Sequence, residues 1–311
     1  MSSTIEQPAA RLPAASEIWW VRWRRYQGIL FVLPWFIGFV IFSFGPFLAS
    51  LVISFTNWNM VDSPKFVGLD NYTRLFADEN YIKSLVNTLY YTVLHVPGQI
   101  ILAFGVACLL NRQVYGLPLF RTCFYLPAIT SGAATAIIWL FLFQPKGLIN
   151  QMLEAIGLPG PNWLGSTQWA MPTLILMSFW NIGTPMVLFL AGLQGVPQSL
   201  YEAADIDGAG WVGKLRHITI PMMTPYFFLT AVLGVIGSFQ VFTSALLVTG
   251  GGPANATLFL VLYLYWNGWS YFKMGYASAM AWTLLVMILL FTAVQFWISR
   301  RWVYYEGDTR R

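Results

Sequence analysis

Few residues in this chain have the type and spacing that chemistry needs. The two histidines, His95 and His217, sit far apart, one inside an apolar run and the other in a polar segment. Neither HExxH nor a paired-cysteine spacing accompanies them, so no zinc-ligand pattern forms. A GxSxG elbow, which would present a serine nucleophile on a sharp turn, is also missing. One segment comes near a phosphate loop: Gly208-Ala-Gly-Trp-Val-Gly213-Lys214-Leu215 satisfies GxxxxGK and then fails, because Leu215 stands where Ser or Thr must ligate magnesium. The residues before it read as a polar helix, whereas a phosphate loop needs a buried strand to aim its amides. Nucleotide binding here is rejected, and an intramembrane enzyme would lack a catalytic pair. Cys108 and Cys123 flank one short loop without CxxC spacing and are expected to be free, buried thiols.

The remaining polar side chains of interest are neutral and lie inside long apolar runs. His95 and Gln99 surround Pro97. Asn181, Gly183, Thr184 and Pro185 form WNIGTP with Trp180 and Ile182. Ser238 and Gln240 sit among aromatics, with Phe239 and Phe242 flanking Gln240. Two readings stand side by side for each group. Polar residues in membrane helices often join one helix to another. A path lined by amides, hydroxyls and aromatic faces would instead suit a neutral, hydroxylated ligand. WNIGTP leans toward the path, since a Gly/Pro interruption frees backbone groups only where the segment is buried or faces a cavity.

The elements that must position these residues follow from composition. Of 311 residues 57% are hydrophobic and only 9% charged, against about 25% charged in soluble domains. The chain reads as a polytopic, all-α membrane protein. Six apolar runs are near the roughly 20 residues that cross a bilayer: Ile29–Phe55, then 85–110, 122–143, 169–193, 225–248 and 274–299. None of the six contains Asp, Glu, Lys or Arg, which argues against an ion-coupled carrier working alone, as does the lack of a detectable inverted repeat. Pro34 and Pro46 are candidates to kink the first run. Residues 1–28 are expected to be a disordered tail ending in an interfacial anchor of Trp19, Trp20, Arg22, Trp23, Arg24 and Arg25.

Basic residues set the orientation. Twelve of 17 fall on the tail, the second-to-third loop, the 194–221 stretch and residues 300–311, leaving Lys65, Arg74, Lys83, Lys146 and Lys273 for the other face. Both termini and the 194–221 stretch are therefore expected in the cytoplasm. The net charge of +5 is spent in these short clusters rather than in a continuous stripe, so nucleic acid is not an expected partner. Three outer connections, 56–84, 144–168 and 249–273, have the Gly and Pro content of irregular caps.

The stretch Gln194–Pro221 is the one long polar segment walled by apolar runs. Pro197 and Ser199 open a short helix, in which Ser199 and Glu202 have capping-box spacing; Gly208 and Gly210 break it, and a second short helix is expected from Trp211 to His217. Within it Tyr201-Glu202-Ala203-Ala204, then Asp207-Gly208-Ala209 and the closing Ile218-Thr219-Ile220-Pro221 resemble the EAA loop of binding-protein-dependent ABC-importer permeases, with Ile220 in place of the usual Leu before the proline. Further marks span the chain: ISFTNW (53–58), FVGLDNY (66–72), NTLYYT (87–92), LVTGGGPANAT (247–257) and GYASAMAW (275–282). The carbohydrate branch is indicated, and FVGLDNY and TGGGP look like its MalF-like, glycerol-3-phosphate-permease-A-like half.

The resemblance implies a type I importer permease fold, divided into a tail (1–28), a six-helix transmembrane domain (29–299) and a C-terminal tail (300–311). It implies a place in the bacterial cytoplasmic membrane. It also implies a second, MalG-like permease, two copies of a cytoplasmic ATPase holding the ATP and magnesium that this chain does not bind, and an extracytoplasmic solute-binding protein. ATPase coupling would fall to Glu202, Ala203, Ala204, Asp207, Gly208, Ile218 and Pro221. By position in the spans, the substrate path would use Asn181, Gly183, Thr184, Gly234, Ser238, Phe239, Gln240 and Val241. A structural role remains open for Glu202 as a cap and for Gly208 as a helix stop. The expected cargo is a neutral di- or oligosaccharide, with a glycerol-phosphate as the alternative; a phosphate would favour a cation or a helix N-terminus in the path.

Overall fold

The computed structural model describes residues 15–112 and 115–304, with side chains from Gln27 onward. The anchor side chains between Trp19 and Arg25, and the terminal Arg310 and Arg311, lie outside the described residues. The chain divides into two compact units, Met1–Val52 and Ile53–Arg311.

In the first unit, helix α1 (Ala15–Phe39) runs through a widened π turn (Val40–Phe44) into α2 (Gly45–Ser54). The helix thus begins well inside the stretch expected to be a disordered tail. From Ala15 to Gln27 the sequence has neither Gly nor Pro, so nothing stops the helix from propagating backward out of the apolar run. The π turn has a local cause. Pro46 supplies no N–H and its ring would strike the carbonyl four residues back; the Gly45 N–H instead reaches Val40 O, five residues back, which shifts the ladder just before the proline.

The second unit opens with a hairpin of β1 (Thr56–Asn57) and β2 (Lys65–Phe66), antiparallel with Thr56 opposite Phe66. Helix α3 (Asp70–Ala77) follows, then α4 (Glu79–Leu110), α5 (Leu117–Ile129), α6 (Gly132–Leu142) and α7 (Leu148–Ala155). Next come α8 (Ala170–Ser178), α9 (Gly183–Gly195), α10 (Gln198–Ile206), α11 (Trp211–Lys214) and α12 (Ile220–Met222). The last are α13 (Thr224–Phe239), α14 (Leu260–Tyr265) and α15 (Met274–Ser299).

Among the described residues, three helical stretches are long and apolar enough to cross a membrane alone: 27–54, 79–110 and 274–299. Three bent pairs complete the six when each is counted as one span: α5–α6 at 100°, α8–α9 at 48°, and the α11–α12 segment with α13 at 62°. Three of the six expected runs are interrupted, and the 62° bend at Met223, which precedes the fifth run, is not one of these breaks. The third breaks at Thr130–Ser131 and the fourth at Phe179–Ile182; the fifth loses its helix at Gln240–Val241 before resuming. Each break coincides with small or polar residues (TSG, WNIG, SFQ), which weaken the helical ladder locally. The outer connections also hold more structure than irregular caps: the hairpin and α3 in the first, α7 in the second, α14 in the third.

Helix α4 is the central post, packing on α9 along one side and α13 along another, with α13 packed in turn on α15. Ala103 and Ala107 are fully buried against Met186, Phe189 and Leu193, where their size lets the helices approach closely. At its N-terminal end α4 is capped by Asp78, which accepts from the Asn80 and Tyr81 N–H groups. Its other oxygen takes hydrogen bonds from Tyr263 (2.7 Å) and Tyr276 (2.6 Å). One carboxylate therefore joins the starts of α4 and α15 to α14. The 249–257 loop is stitched beside it: Lys83 donates to Ala254 O, Asn87 to Asn255 O and Leu258 O, and Asn255 to Asn80. Asn71 reaches across to Ser54 O and Thr56 O. Gly275 admits the hairpin so closely that a Cβ there would lie 1.9 Å from Thr56 O.

Burial raises the Asp78 carboxyl, but the tyrosine and backbone donors outweigh it and hold the group below its ordinary value. The unfolded chain thus binds the proton more tightly than the native one. The stabilisation is present above the ordinary carboxylate value, about 3.9, and is lost as pH falls through the native value. Melting the purified chain in detergent at graded pH checks this: the advantage of wild type over Asp78→Asn is expected to be full near pH 7 and to shrink below about pH 4. A gap that stays constant with pH would refute it.

Candidate functional site

The three helix interruptions meet. Thr130 and Gly132 from the first, Trp180 and Asn181 from the second, and Val241 to Ser244 from the third line one cavity of about 350 Å³ beside the middle of α4. From α4 come Tyr91, His95 and Gln99. None of the lining residues is Asp, Glu, Lys or Arg. The Tyr91 and His95 rings stack at 5.0 Å, and the His95 and Phe179 rings at 6.0 Å. His95 Nδ1 lies 2.7 Å from Ser178 Oγ, so this residue joins α4 to α8 and also walls the cavity. Trp180 is half exposed, with its ring edge-on to Trp139 at 5.7 Å. Such a site offers hydroxyls, amides and ring faces, and no formal countercharge.

The expected path residues separate in space. Asn181, Ser238 and Val241 line the cavity, although the Ser238 hydroxyl already donates to Gly234 O at 2.7 Å. Gly183 lies instead in the α9–α5 contact, where a Cβ would come 2.7 Å from Phe124 O; Gly234 backs onto Val96. Phe239 is 1% exposed and packs on Phe291. Thr184 and Gln240 are exposed and outside the lining. Trp180 of WNIGTP lines it too, as do Tyr91, Thr130, Thr135, Thr243 and Ser244, which the sequence did not single out for the path, though a TSG and an FTS interruption inside apolar runs were available signals. Both cysteines are free, but neither is buried as expected: Cys108 is half-buried and Cys123 is exposed.

At the opposite end of α4 from the cap lies the 194–221 stretch. Helix α10 starts after Pro197, which makes no side-chain cap bond, so Ser199 falls inside the helix and the capping box does not form. Proline's fixed φ lets it lead into the helix without a side-chain cap. Glu202 and Ala203 are exposed, Ala204 is half-buried, and Asp207 and Gly208 are exposed at the helix end. The Glu202 carboxylate has no hydrogen bond or ion pair among the described residues. Around it Leu200, Ile206, Trp211 and Val212 present apolar surface, with Ile206 87% exposed. Gly208 adopts φ +73°, the left-handed region that a Cβ resists.

The second arm is longer than the expected 211–217 helix. It runs from Trp211 to Met222 through another π turn (Leu215–Thr219), in which the Ile220 N–H reaches Leu215 O immediately before Pro221, the device seen at Pro46. Half-buried Ile218 and Pro221 sit in this turn and its exit. Two ties lock the arms together: an ion pair between Lys214 and Asp205, and a hydrogen bond between the Tyr201 and Thr219 hydroxyls at 2.9 Å. The stretch is a braced hairpin of helices with an unpaired carboxylate and small residues on its free side.

Residues 99–304 match the family described as binding-protein-dependent transport system inner membrane component. The chain belongs to this family. It is 34% identical to the lactose transport system permease protein LacF of Rhizobium radiobacter over 90% of this chain and 96% of that one. It is 35% identical to the sn-glycerol-3-phosphate transport system permease protein UgpA of Yersinia pestis over 78% and 83%. A solved bacterial ABC transporter involved in importing the acidic polysaccharide alginate shares the fold, with TM-score 0.79 at 24% identity over 92% of this chain and 99% of that one. The chain is a multi-pass membrane protein and a transport component.

The left-handed bend gives a test. Gly208→Ala is expected to cost about 1–2 kcal/mol locally, loosening the hairpin so that amides of 198–222 exchange hydrogen faster, while Gly208→Asn, more tolerant of this conformation, shows the smaller change. Equal exchange in all three proteins would show that the bend does not constrain the hairpin.

Proposed function

We propose that this chain is the MalF-like permease subunit of an ATP-driven, binding-protein-dependent importer whose cargo is a neutral di- or oligosaccharide. The observation that carries the cargo class is the charge-free cavity at which three helix interruptions converge. Unwound backbone is tolerated at membrane depth only where it is buried or lines a cavity, and discontinuous helices are a common way to build a transport site. Trp180 offers a ring face for sugar C–H surfaces, and Asn181, Gln99 and the surrounding hydroxyls offer hydrogen bonds. Asn181, Ser238 and Val241 are assigned to this site directly; Gly183, Thr184, Gly234, Phe239 and Gln240 belong to the helices that shape it.

The chain itself is non-catalytic in this reading. The 194–221 hairpin faces the cytoplasm, as do both termini, and docks into an ATPase dimer that holds the ATP and magnesium. Glu202 meets a basic residue there, Ala203 and Ala204 allow close approach, and Asp207 and Gly208 shape the bend. Ile218 and Pro221 hand the movement to α13. A second, MalG-like permease completes the pore, and a solute-binding protein delivers cargo at the outer cap. ATP acts by binding the closed ATPase dimer better than the open one, which shifts the pair between inward- and outward-facing states.

One observation favours a second cargo. Helix α6 begins at Gly132, a cavity residue, and Ser131 provides no side-chain cap; a helix N-terminus attracts anions. A glycerol-phosphate is therefore the rival ligand. Uptake by vesicles holding the complete transporter distinguishes the two and tests the coupling. Neutral oligosaccharide uptake is expected to require ATP and to disappear when Glu202→Ala is combined with Gly208→Pro. Trp180→Ala is expected to raise the half-saturating sugar concentration about three- to tenfold. Undiminished uptake by the double variant would sink the coupling role, and exclusive uptake of a phosphorylated ligand would overturn the sugar.

A further inference from the structure

A second and larger hollow, about 950 Å³, lies at the opposite end of α4 from the cap. Ile101, Phe104 and Leu109 of α4 form one wall, and Leu215, Ile220 and Phe227 of the 211–239 segment form the facing one. Asn111, Arg112 and Lys214 stand at its rim, where α4 ends. The two cations are not equivalent. Lys214 is neutralised by Asp205, the one ion pair among the described residues, so the Arg112 guanidinium has no acidic partner there. The hollow is therefore apolar along its length and carries one uncompensated positive charge at a single end.

We propose that it binds one anionic phospholipid, with the acyl chains between α4 and the 211–239 segment and the headgroup phosphate on Arg112. The charge pattern favours this occupant over a neutral lipid or a transmembrane helix. An arginine fork suits a phosphate, with which it can form two parallel hydrogen bonds. A purely apolar partner helix would bury Arg112 against nothing, and basic pockets between transmembrane helices are known sites for acidic headgroups. The location has a consequence. Leu215, Thr219 and Ile220 line the hollow and belong to the arm that the Asp205–Lys214 and Tyr201–Thr219 ties join to α10. A lipid seated here steadies that arm against α4, so lipid occupancy sets how stiffly the hairpin is held. The proposal requires only that the chain spans a membrane and is independent of the cargo.

Native mass spectrometry of the full-length chain, released from detergent and titrated with phosphatidylglycerol or phosphatidylcholine of matched acyl chains, tests it. Wild type is expected to retain phosphatidylglycerol more tightly, on the order of fivefold for one basic residue. Arg112→Gln should erase that preference while leaving phosphatidylcholine binding unchanged, and Arg112→Lys should keep most of it. Gly105 lines the hollow, and a Cβ there meets nothing within 4 Å; Gly105→Leu fills the space and should weaken both lipids. Equal retention of the two lipids by wild type would overturn the proposal without reference to any variant. So would phosphatidylglycerol binding that survives both Arg112→Gln and Gly105→Leu, or that the isolated chain shows and the assembled transporter loses to a partner helix.

Discussion

The backbone's demand for hydrogen-bond partners in hydrocarbon decides where this chain is permitted to be irregular. A peptide group without a partner costs several kcal/mol in lipid, so a helix crossing a membrane cannot stop midway unless something else receives its freed groups. Here three helices do stop, at Thr130–Ser131, Phe179–Ile182 and Gln240–Val241, and all three stops open onto one cavity. The site and the breaks are the same structural fact. Continuous α4 is the counterpart: its 32 residues supply the unbroken wall against which the interrupted helices pack.

The same demand explains how the ends are held. At the cap, Asp78 takes donors from two side chains and two backbone amides; burial and that carboxylate push the Tyr263 hydroxyl up to about 12, so it stays a donor at any ordinary pH. Several sequence marks that point to the family turn out to be parts of this clamp. Asn71 of FVGLDNY holds the chain at Ser54 and Thr56, Asn87 and Thr88 of NTLYYT hold the TGGGP loop and α14, and Tyr276 of GYASAMAW holds Asp78. These four residues fasten the Asp78 end of the bundle and do not line the cavity, whereas Tyr91 of NTLYYT does.

Those relations explain what the sequence made legible. Hydropathy exposed the six apolar runs because length and composition are sufficient for that, and the EAA-like stretch stood out because its polarity contrasts with both flanks. The breaks were harder. Gly and Pro marked WNIGTP, but Thr130-Ser131-Gly132 lies in a run whose average apolarity hides it, and Gln240 stands out as a polar path residue without signalling a helix break, because a window that detects a span averages over the residue that interrupts it. Ser199 misled for a different reason. Capping-box spacing is necessary for the motif, but Pro197 started the helix earlier and left the serine inside it. Position in the chain also could not separate residues facing the cavity, such as Asn181, from neighbours such as Gly183 and Thr184, because successive helical residues point about 100° apart.

The two π turns show how prolines are accommodated and why that matters at the hairpin. Each sits two residues ahead of a proline, at Pro46 and Pro221, and each replaces an impossible bond with one from five residues back. At Pro46 the result is a helix that continues. At Pro221 it is followed by the 62° bend into α13, so the arm from Trp211 to Met222 changes direction at its end. A force applied on the α10 side reaches that arm through Asp205–Lys214 and Tyr201–Thr219. Both ties precede the bend, and the far end of α13 borders the cavity at Ser238. Under the coupling role proposed for Glu202, the path from handle to site is therefore one braced hairpin, one bend and one helix.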